Sequence, residues 1–135
     1  LFTISGPGSP SVLTNMPVAI EQHAEWIADC LEALIAKGET RIEADPAAAE
    51  AWGAHVQEAA KATLLPRVPH SWYLGANVPG KPRVFMPYAG GMTRYRAICE
   101  AAAQQGFAGF ALGAAPASAP PPILPQGFTP LEAAV

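Results

Sequence analysis

The chain has 135 residues, a formal net charge of −3, and hydrophobic side chains at 50% of its positions. This length allows a single domain, and the eight Lys and Arg residues are too scattered to form a basic surface, which excludes a nucleic-acid partner. No apolar run reaches the roughly 18 to 20 residues of a membrane span, so we expect no membrane partner.

The opening ten residues are predicted to form a short strand and a tight turn. The segment "LFTIS" is rich in apolar and β-branched residues, whereas "GPGSP" can continue neither a helix nor a strand. Because the chain begins with Leu1 and enters an apolar strand at once, we expect it to have been cut from something longer.

The first helix is predicted from about Met16 to Lys37. Asn15 is a suitable N-cap, Pro17 fits the first turn, and Gly38 is a natural stop. Spacings of i, i+4, i+7, i+11 and i+14 predict one apolar stripe, formed by Ile20, Ala24, Ile27, Leu31 and Leu34.

A second helix is predicted after a possible short strand, "TRIEA". Asp45 is a suitable N-cap and Pro46 occupies the first helical position. The helix is expected to reach about Leu65, where Pro66 ends it. Its apolar face is predicted to consist of Trp52, Val56, Ala59 or Ala60, and Thr63.

The second half of the chain is predicted to be irregular apart from one strand and one helix. Residues 66–92 contain one plausible strand, "RVFMPY", and Thr93 is expected to cap a third helix that ends near Gly106. The buried side of this helix is predicted to be Tyr95, Ile98, Cys99 and Ala102. Prolines and alanines dominate residues 113–135, which predicts a mobile tail.

The cysteines and histidines favour neither a disulfide framework nor a metal site. Cys30 and Cys99 are too few to define a framework and are interpreted as thiols of a cytoplasmic protein. His23 is interpreted as a structural residue, because no second His or Cys lies four positions away. His55 is expected to be exposed, and His70 completes no Ser/His/Asp triad.

The stretch "SGPGSPSVLTNM" combines a strand end, a glycine turn and a helix start. The first turn of a helix presents unpaired N–H groups and partial positive charge, which suit a phosphate or the pyrimidine edge of a reduced flavin. The stretch matches neither G-x-G-x-x-G nor a P-loop, so a purely structural turn remains the alternative. Side-chain hydrogen bonds could come from Ser9, Ser11, Thr14 and Asn15.

The stretch "SWYLGANVPGKPR", residues 71–83, is too long and too aromatic for an ordinary connection or a disordered linker. Trp72 and Tyr73 offer flat apolar faces, and Lys81 and Arg83 offer positive charge. Together they suit a ligand with rings, an amide and phosphates. The alternative is a surface loop whose aromatic rings cover the second helix.

Four ordered stretches give the sequence a family resemblance. "FTISGPGSPSVLTNM", "IEQHAEWIADC", "SWYLGANVPGKPRVFMPYAGG" and "YRAICEAAAQQGFAGF" resemble the C-terminal part of type I Baeyer–Villiger monooxygenases, the relatives of cyclohexanone and phenylacetone monooxygenase in the flavin-containing monooxygenase superfamily. The resemblance covers residues 1–112 and leaves out the tail.

The resemblance implies an α/β flavoprotein with two dinucleotide-binding domains, of which this chain is a mostly helical C-terminal segment with a few short strands. It implies FAD and NADPH as cofactors and a ketone and O2 as substrates. In such enzymes a flavin C4a-peroxide attacks the ketone, and rearrangement yields an ester or lactone. Residues 1–112 would then be the C-terminal part of the FAD-binding domain, with an NADP-contacting control loop over about 66–92.

Site residues follow from the same resemblance. Thr14, Asn15 and Met16 match positions beside the flavin, and Trp72 and Lys81 match the control loop that closes over NADP. The segment that lines the substrate pocket is matched by Ser11, Val12 and Leu13.

The family's two G-x-G-x-x-G motifs, its fingerprint F-x-G-x-x-x-H-x-x-x-W and its catalytic arginine have no counterpart in the 135 residues. No catalytic residue is therefore expected in this chain, which is predicted to be inactive without the N-terminal part of the same enzyme. Two alternatives remain: a flavin monooxygenase that oxidises nitrogen or sulfur, and a non-catalytic binding remnant.

Overall fold

The computed structural model describes residues 1–113, a mostly helical chain with one short sheet, and the predicted tail lies almost entirely outside this range. The elements are α1 (Met16–Lys37), β1 (Arg41–Ala44), α2 (Pro46–Lys61), α3 (Met92–Gln104) and β2 (Phe110–Gly113). Single 3₁₀ turns cover Ser11–Leu13, Leu65–Arg67 and Trp72–Leu74. Within these residues, no helix has the length and apolar character to cross a membrane.

Helix α1 begins and ends where the sequence predicted. Asn15 is the N-cap and Pro17 lies in the first turn. Gly38 closes the helix with φ = 68°, a left-handed conformation that glycine adopts without a steric penalty. Both ends depend on local chemistry, and the prediction of residues 16–37 is confirmed.

The predicted apolar stripe of α1 is wrong. Leu34 is buried, but Ile20 and Leu31 are 41% and 45% exposed, and Ala24 is exposed as well. The buried face is rotated toward α3 and contains two polar residues: Ala19, Gln22, His23, Cys30 and Leu34. Sequence patterning assigned burial by apolarity, whereas the packing of α3 selects this mixed face.

Strands β1 and β2 pair antiparallel, from Arg41 opposite Gly113 to Ala44 opposite Phe110. The sequence predicted β1 within "TRIEA" but missed β2, and Gly113, assigned to the tail, is the last residue of this strand. The sheet closes over a small core of Cys30, Leu34 and Phe107, against which Trp26 and Phe110 pack.

Helix α2 is capped as predicted, since the Asp45 carboxylate Oδ1 accepts a hydrogen bond of 3.0 Å from Ala48 N–H. Val56 and Ala60 are buried on the predicted face. The helix ends at Lys61 rather than near residue 65. The Thr63 hydroxyl donates to Ala60 O at 2.8 Å, which competes with a further helical turn.

Neither "LFTIS" nor "RVFMPY" forms a strand. Ser5 has φ = 55°, which breaks the extended conformation, and Leu1–Thr3 has no regular structure. The backbone of "RVFMPY" is hydrogen-bonded to a side chain of α2 instead of to a neighbouring strand. Gln57 Nε2 donates to Phe85 O at 2.7 Å, and Phe85 N donates to Gln57 Oε1 at 3.1 Å.

Helix α3 begins at Met92 with Gly91 as its N-cap, two residues before the predicted cap at Thr93. Gly91 has φ = 85°, a turn that favours glycine and sets the direction of the helix. The predicted inner side is confirmed in position, although its members are only half-buried: Tyr95, Ile98, Cys99 and Ala102.

Candidate functional site

Two sequence motifs meet at a small cleft of about 250 Å³, here called the loop cleft. Ser11 lines it from the glycine turn, and Trp72 lines it from the long irregular segment. The full lining is Ser5, Gly6, Pro7, Ser11, Trp72, Tyr73, Met86 and Pro87. The fold therefore brings the start of α1 close to the irregular segment of residues 66–92, here called the loop, although some 60 residues separate Ser11 from Trp72.

Three backbone hydrogen bonds hold the loop cleft together. Gly8 N donates to Met86 O at 2.8 Å, and Tyr88 N donates to Ser9 O at 2.7 Å. Met86 N donates to Tyr73 O at 3.2 Å, which ties the two ends of the loop to each other. The glycine turn is thus fixed to the C-terminal end of the loop.

Trp72 is 65% exposed. Its ring stacks on Tyr73 with the centroids 4.1 Å apart. Tyr73 in turn packs against the buried core formed by Ala60, Leu74 and Phe85. One face of the indole is supported by the protein, and much of the side chain remains open to solvent.

The two cations of the loop have different environments. Arg83 donates to Pro69 O at 2.7 Å and to Val68 O at 3.1 Å, so its guanidinium is engaged in closing the loop. Lys81 is exposed, and its aliphatic stem lies against Gly75, where an added Cβ would be 3.1 Å from Lys81 Cδ. Within residues 1–113 its ammonium group forms no ion pair.

The start of α1 leaves polar groups available. The Asn15 side chain makes no capping hydrogen bond, and Asn15 is exposed. Thr14 N donates to Ser11 O at 3.3 Å, which closes the preceding 3₁₀ turn. Leu13 is 36% exposed at this turn. Of the residues predicted to bind flavin, NADP or substrate, Ser11 and Trp72 share the loop cleft; Leu13, Thr14, Asn15, Met16 and Lys81 do not line it.

A ring cluster behind the cleft was missed by sequence reasoning. Tyr88 is fully buried, and His55, predicted to be exposed, stacks on it with Nε2 3.3 Å from the Tyr88 hydroxyl. Trp52 lies against both rings at 5.3 Å between centroids. Because His55 lies three residues after Trp52, it shares the predicted apolar face of α2. This spacing is the sequence signal that could have predicted its partial burial.

His23 is a structural residue, as predicted. Its Nδ1 accepts a hydrogen bond of 3.0 Å from Ser5 N–H, and burial lowers the pKa of the imidazole. Both cysteines are free, and burial raises the pKa of each thiol. Within residues 1–113, His, Cys, Asp and Glu form no cluster of three suited to a metal ion.

No protein-family model matches the chain. It is 43% identical over 113 residues to acetone monooxygenase (methyl acetate-forming) of Gordonia sp. (strain TY-5), which covers 83% of the chain and 21% of that protein. It is 39% identical over 106 residues to a Baeyer–Villiger monooxygenase of Pseudooceanicola batsensis, covering 78% and 19%. It is 35% identical over 118 residues to phenazine N-monooxygenase PhzNO1 of Lysobacter antibioticus, covering 87% and 21%.

Solved structures show the same fold. Oxidized steroid monooxygenase bound to NADP superposes with a TM-score of 0.75 at 42% identity, covering 84% of this chain and 20% of that one. OTEMO in complex with FAD and NADP gives a TM-score of 0.73 at 28% identity, covering 83% and 20%. The chain spans about a fifth of the length of the proteins it matches.

The three relatives and the steroid enzyme that the chain resembles are all named monooxygenases. Within the class, the chain corresponds to a segment of type I Baeyer–Villiger monooxygenases, and the resemblance carried by its four motifs is confirmed.

Proposed function

We propose that this chain is part of an FAD- and NADPH-dependent monooxygenase that inserts one oxygen atom of O2 into a ketone to give an ester or lactone. The observation that carries the proposal is the loop cleft, which joins Ser11 of the flavin-side motif to Trp72 of the NADP-side motif. The names of its relatives support ketone oxidation, and NADP in the related steroid monooxygenase supports the second cofactor.

The start of α1 fits the flavin. Because the Asn15 side chain makes no capping bond, the N–H groups of the first turn are not satisfied by their own cap. Thr14, Asn15 and Met16 would place these donors and the positive end of the helix dipole beside the electron-rich edge of the ring system. When bound, FAD reduced by NADPH supplies the activation of O2 that no side chain can perform.

The loop fits NADP. The exposed ring of Trp72 offers a stacking surface that Tyr73 supports from behind, and the uncommitted Lys81 ammonium suits a phosphate. The role of the loop would be to cover the nicotinamide and exclude water. Ser11, Val12 and Leu13 would line the ketone pocket, where their bulk influences which ketones fit.

In the complete enzyme, residues 1–112 would form the C-terminal part of the FAD-binding domain, and the enzyme would have two dinucleotide-binding domains. Residues 66–92 are its control loop. The chain contains no G-x-G-x-x-G motif, so the turns that would hold the phosphates of the two dinucleotides are not among these residues.

Substitution of Trp72 tests the proposal in the complete enzyme. Trp72→Ala is expected to raise KM for NADPH about three- to tenfold, because a stacking contact is worth about 0.5–1.5 kcal/mol. It is also expected to increase the share of NADPH and O2 consumed without ester formation. The matched control is Val78→Ala, which removes another exposed apolar side chain of the same loop away from the cleft.

The two readouts have a clear contrary result. The proposal is contradicted if Trp72→Ala leaves NADPH affinity and coupling unchanged, or if Val78→Ala has equal effects. Either result would show that Trp72 in the loop cleft does not contribute to NADPH use.

A second function is nitrogen oxidation. The likeness to phenazine N-monooxygenase covers 87% of the chain, slightly more than the likeness to acetone monooxygenase. Steady-state NADPH consumption with cyclic and aryl ketones, compared with phenazine and a tertiary amine, separates the two. Ester or lactone formation supports the first function, and N-oxide formation without ester supports the second.

A further inference from the structure

Gln57 of α2 holds the loop from the side that faces away from the loop cleft. Its half-buried amide engages both backbone groups of Phe85: Nε2 donates to Phe85 O at 2.7 Å, and Oε1 accepts from Phe85 N at 3.1 Å. An amide side chain carries a donor and an acceptor together, so it satisfies both groups at once. Gln57 does not line the loop cleft, so it acts on a ligand there only through other residues.

Two connections lead from Phe85 to Trp72. The buried ring of Phe85 lies 6.2 Å from the ring of Tyr73 between centroids, and Tyr73 stacks on Trp72 at 4.1 Å. The backbone provides the second connection, because the N–H of the next residue, Met86, donates to Tyr73 O at 3.2 Å. A shift of Phe85 is therefore transmitted to the residue that supports the indole.

The same short segment is also joined to the opposite wall of the loop cleft. Met86 O accepts a hydrogen bond of 2.8 Å from Gly8 N, and Gly8 belongs to the glycine turn that precedes Ser11. Phe85 and Met86 are thus bonded to the aromatic wall and to the wall that the glycine turn forms. Through the backbone of Phe85, Gln57 acts on the spacing of the two walls.

We propose that Gln57 is a positioning residue for NADPH, because it sets the orientation of Trp72 by holding Phe85. The inference rests on the proposed function, in which Trp72 stacks on the cofactor. The strength of a stacking contact depends on the distance and tilt of the rings, so a displaced indole loses part of it. Since Gln57 acts through Trp72, losing Gln57 costs no more NADPH affinity than losing Trp72 itself.

The test compares KM for NADPH among variants of the complete enzyme that carries this chain. Gln57→Leu removes both hydrogen bonds with little change in volume. It is expected to raise KM for NADPH about two- to fivefold, and no further than Trp72→Ala does. A merely structural role would instead reduce the amount of active enzyme, which lowers the apparent kcat and leaves KM unchanged.

A double substitution separates action through Trp72 from action by another route. If Gln57 positions Trp72, Gln57→Leu does not raise KM for NADPH further in an enzyme that already carries Trp72→Ala. Fully additive increases in the double variant would show that Gln57 acts independently of Trp72, and they would overturn the proposal.

Two control variants account for lost stability. Leu34→Val removes one methylene group from the separate core of Cys30, Leu34 and Phe107, and it should leave KM for NADPH unchanged. Glu58→Gln, at the neighbouring exposed position of α2, should do the same. Equal increases of KM in Leu34→Val and Gln57→Leu would assign the effect to stability and overturn the proposal.

Amide hydrogen exchange follows the same connection without cofactor. Gln57→Leu is expected to speed exchange at Phe85, whose N–H loses its acceptor, and also at Leu74 and Gly75, which close the 3₁₀ turn that carries Trp72. Unchanged exchange at Leu74 and Gly75 would show that the disturbance does not reach Trp72, and the proposal would be wrong.

These variants distinguish failure of the inference from failure of the proposed function. If Trp72→Ala raises KM for NADPH and Gln57→Leu does not, Trp72 serves the cofactor without help from Gln57, and only the inference is wrong. If Trp72→Ala leaves KM unchanged, the loop has no part in NADPH use, and both are wrong.

Discussion

Gly8 is the residue on which the geometry of the glycine turn depends most directly. It has φ = 80°, and its N–H anchors the loop through Met86 O. A Cβ placed there would lie 2.8 Å from Trp52 Nε1. The indole cannot easily withdraw, because it packs against the rings of His55 and Tyr88. Backbone conformation and close approach thus both require glycine at this position.

Gly8→Ala is therefore expected to destabilise the protein more than an alanine at a glycine with similar φ in open space. Gly80, with φ = 78° and no atom near an added Cβ, is the matched control. Gly80→Ala should cost about 1–2 kcal/mol from φ alone. Gly8→Ala should cost about 1–3 kcal/mol more from the contact with Trp52. Urea denaturation of both variants measures the difference in the free energy of unfolding. Equal losses would show that the Trp52 ring moves aside at little cost.

His23 makes the stability of the protein depend on pH. Burial lowers the pKa of its imidazole below the value of 6.5 that the unfolded chain has. The unfolded state therefore binds more protons between the lowered pKa and about 6.5, and stability is lost as the pH falls through this interval. Above the unfolded pKa the contribution no longer changes.

We expect the free energy of unfolding to fall between pH 7.5 and 5.5, and we expect His23→Gln to reduce this fall. His70→Gln, at an exposed position, is the control and should keep the pH dependence of the parent. An identical slope in His23→Gln and the parent would assign the pH dependence to other groups.

At the scale of elements, both ends of α1 and the start of α2 could be predicted from the sequence, whereas the buried face of α1 could not. Gly38 and Asp45 act on neighbouring backbone groups, so their roles are visible in the local sequence. The buried face of α1 depends on what α3 presents to it, which is a long-range property. Strand β2 was missed for the same reason, since it pairs with β1, more than 60 residues earlier.

In the candidate site too, local features could be predicted from the sequence and long-range contacts could not. The turn and the loop were each recognisable from composition, and Trp72 is exposed as expected. That Ser11 and Trp72 line one cleft depends on backbone bonds from Gly8 and Ser9 to residues 86 and 88. No local pattern specifies such bonds.

Helix α2 and the loop are coupled by one side chain. Gln57 makes two hydrogen bonds to the backbone of Phe85, in the way that a neighbouring strand would. Gln57→Leu is expected to cost about 1–3 kcal/mol, because it leaves a half-buried N–H and C=O without partners. Glu58→Gln, on the exposed side of the next position, is the control and should change stability little.

Denaturation and loop-specific proteolysis would both report the loss. If Gln57→Leu had the stability and protease resistance of the control, the two hydrogen bonds would contribute nothing to anchoring the loop.

At the scale of the whole molecule, residues 1–113 expose much apolar surface for their size. Ile35 is 78% exposed and Ile20 and Leu31 more than 40%, all on α1. A monomeric protein rarely leaves such a face of a helix open. The chain spans about a fifth of the length of its relatives, and the cofactors it is proposed to contact need more protein than it contains.

The isolated 135-residue chain is therefore expected to show no NADPH-dependent oxidation of ketones and no visible absorption from bound flavin. The control is the polypeptide from its native source, measured for intact mass and visible spectrum. A chain several times heavier than 14.0 kDa with bound flavin would agree with the proposed function. Turnover by the isolated chain would contradict it.

The anchoring of the loop also bears on how fast it can move. Leu74 and Phe85, within the loop, are buried with Ala60 of α2, so the segment has apolar attachments on both sides of its exposed tip. Displacing the whole loop would expose these side chains to water, which makes full opening a local unfolding event. The tip from Ala76 to Lys81, in contrast, can rearrange while Leu74 and Phe85 remain buried. Amide hydrogen exchange should then divide the loop into two kinetic classes, with slow exchange at Phe85 and Met86 and fast exchange at the tip.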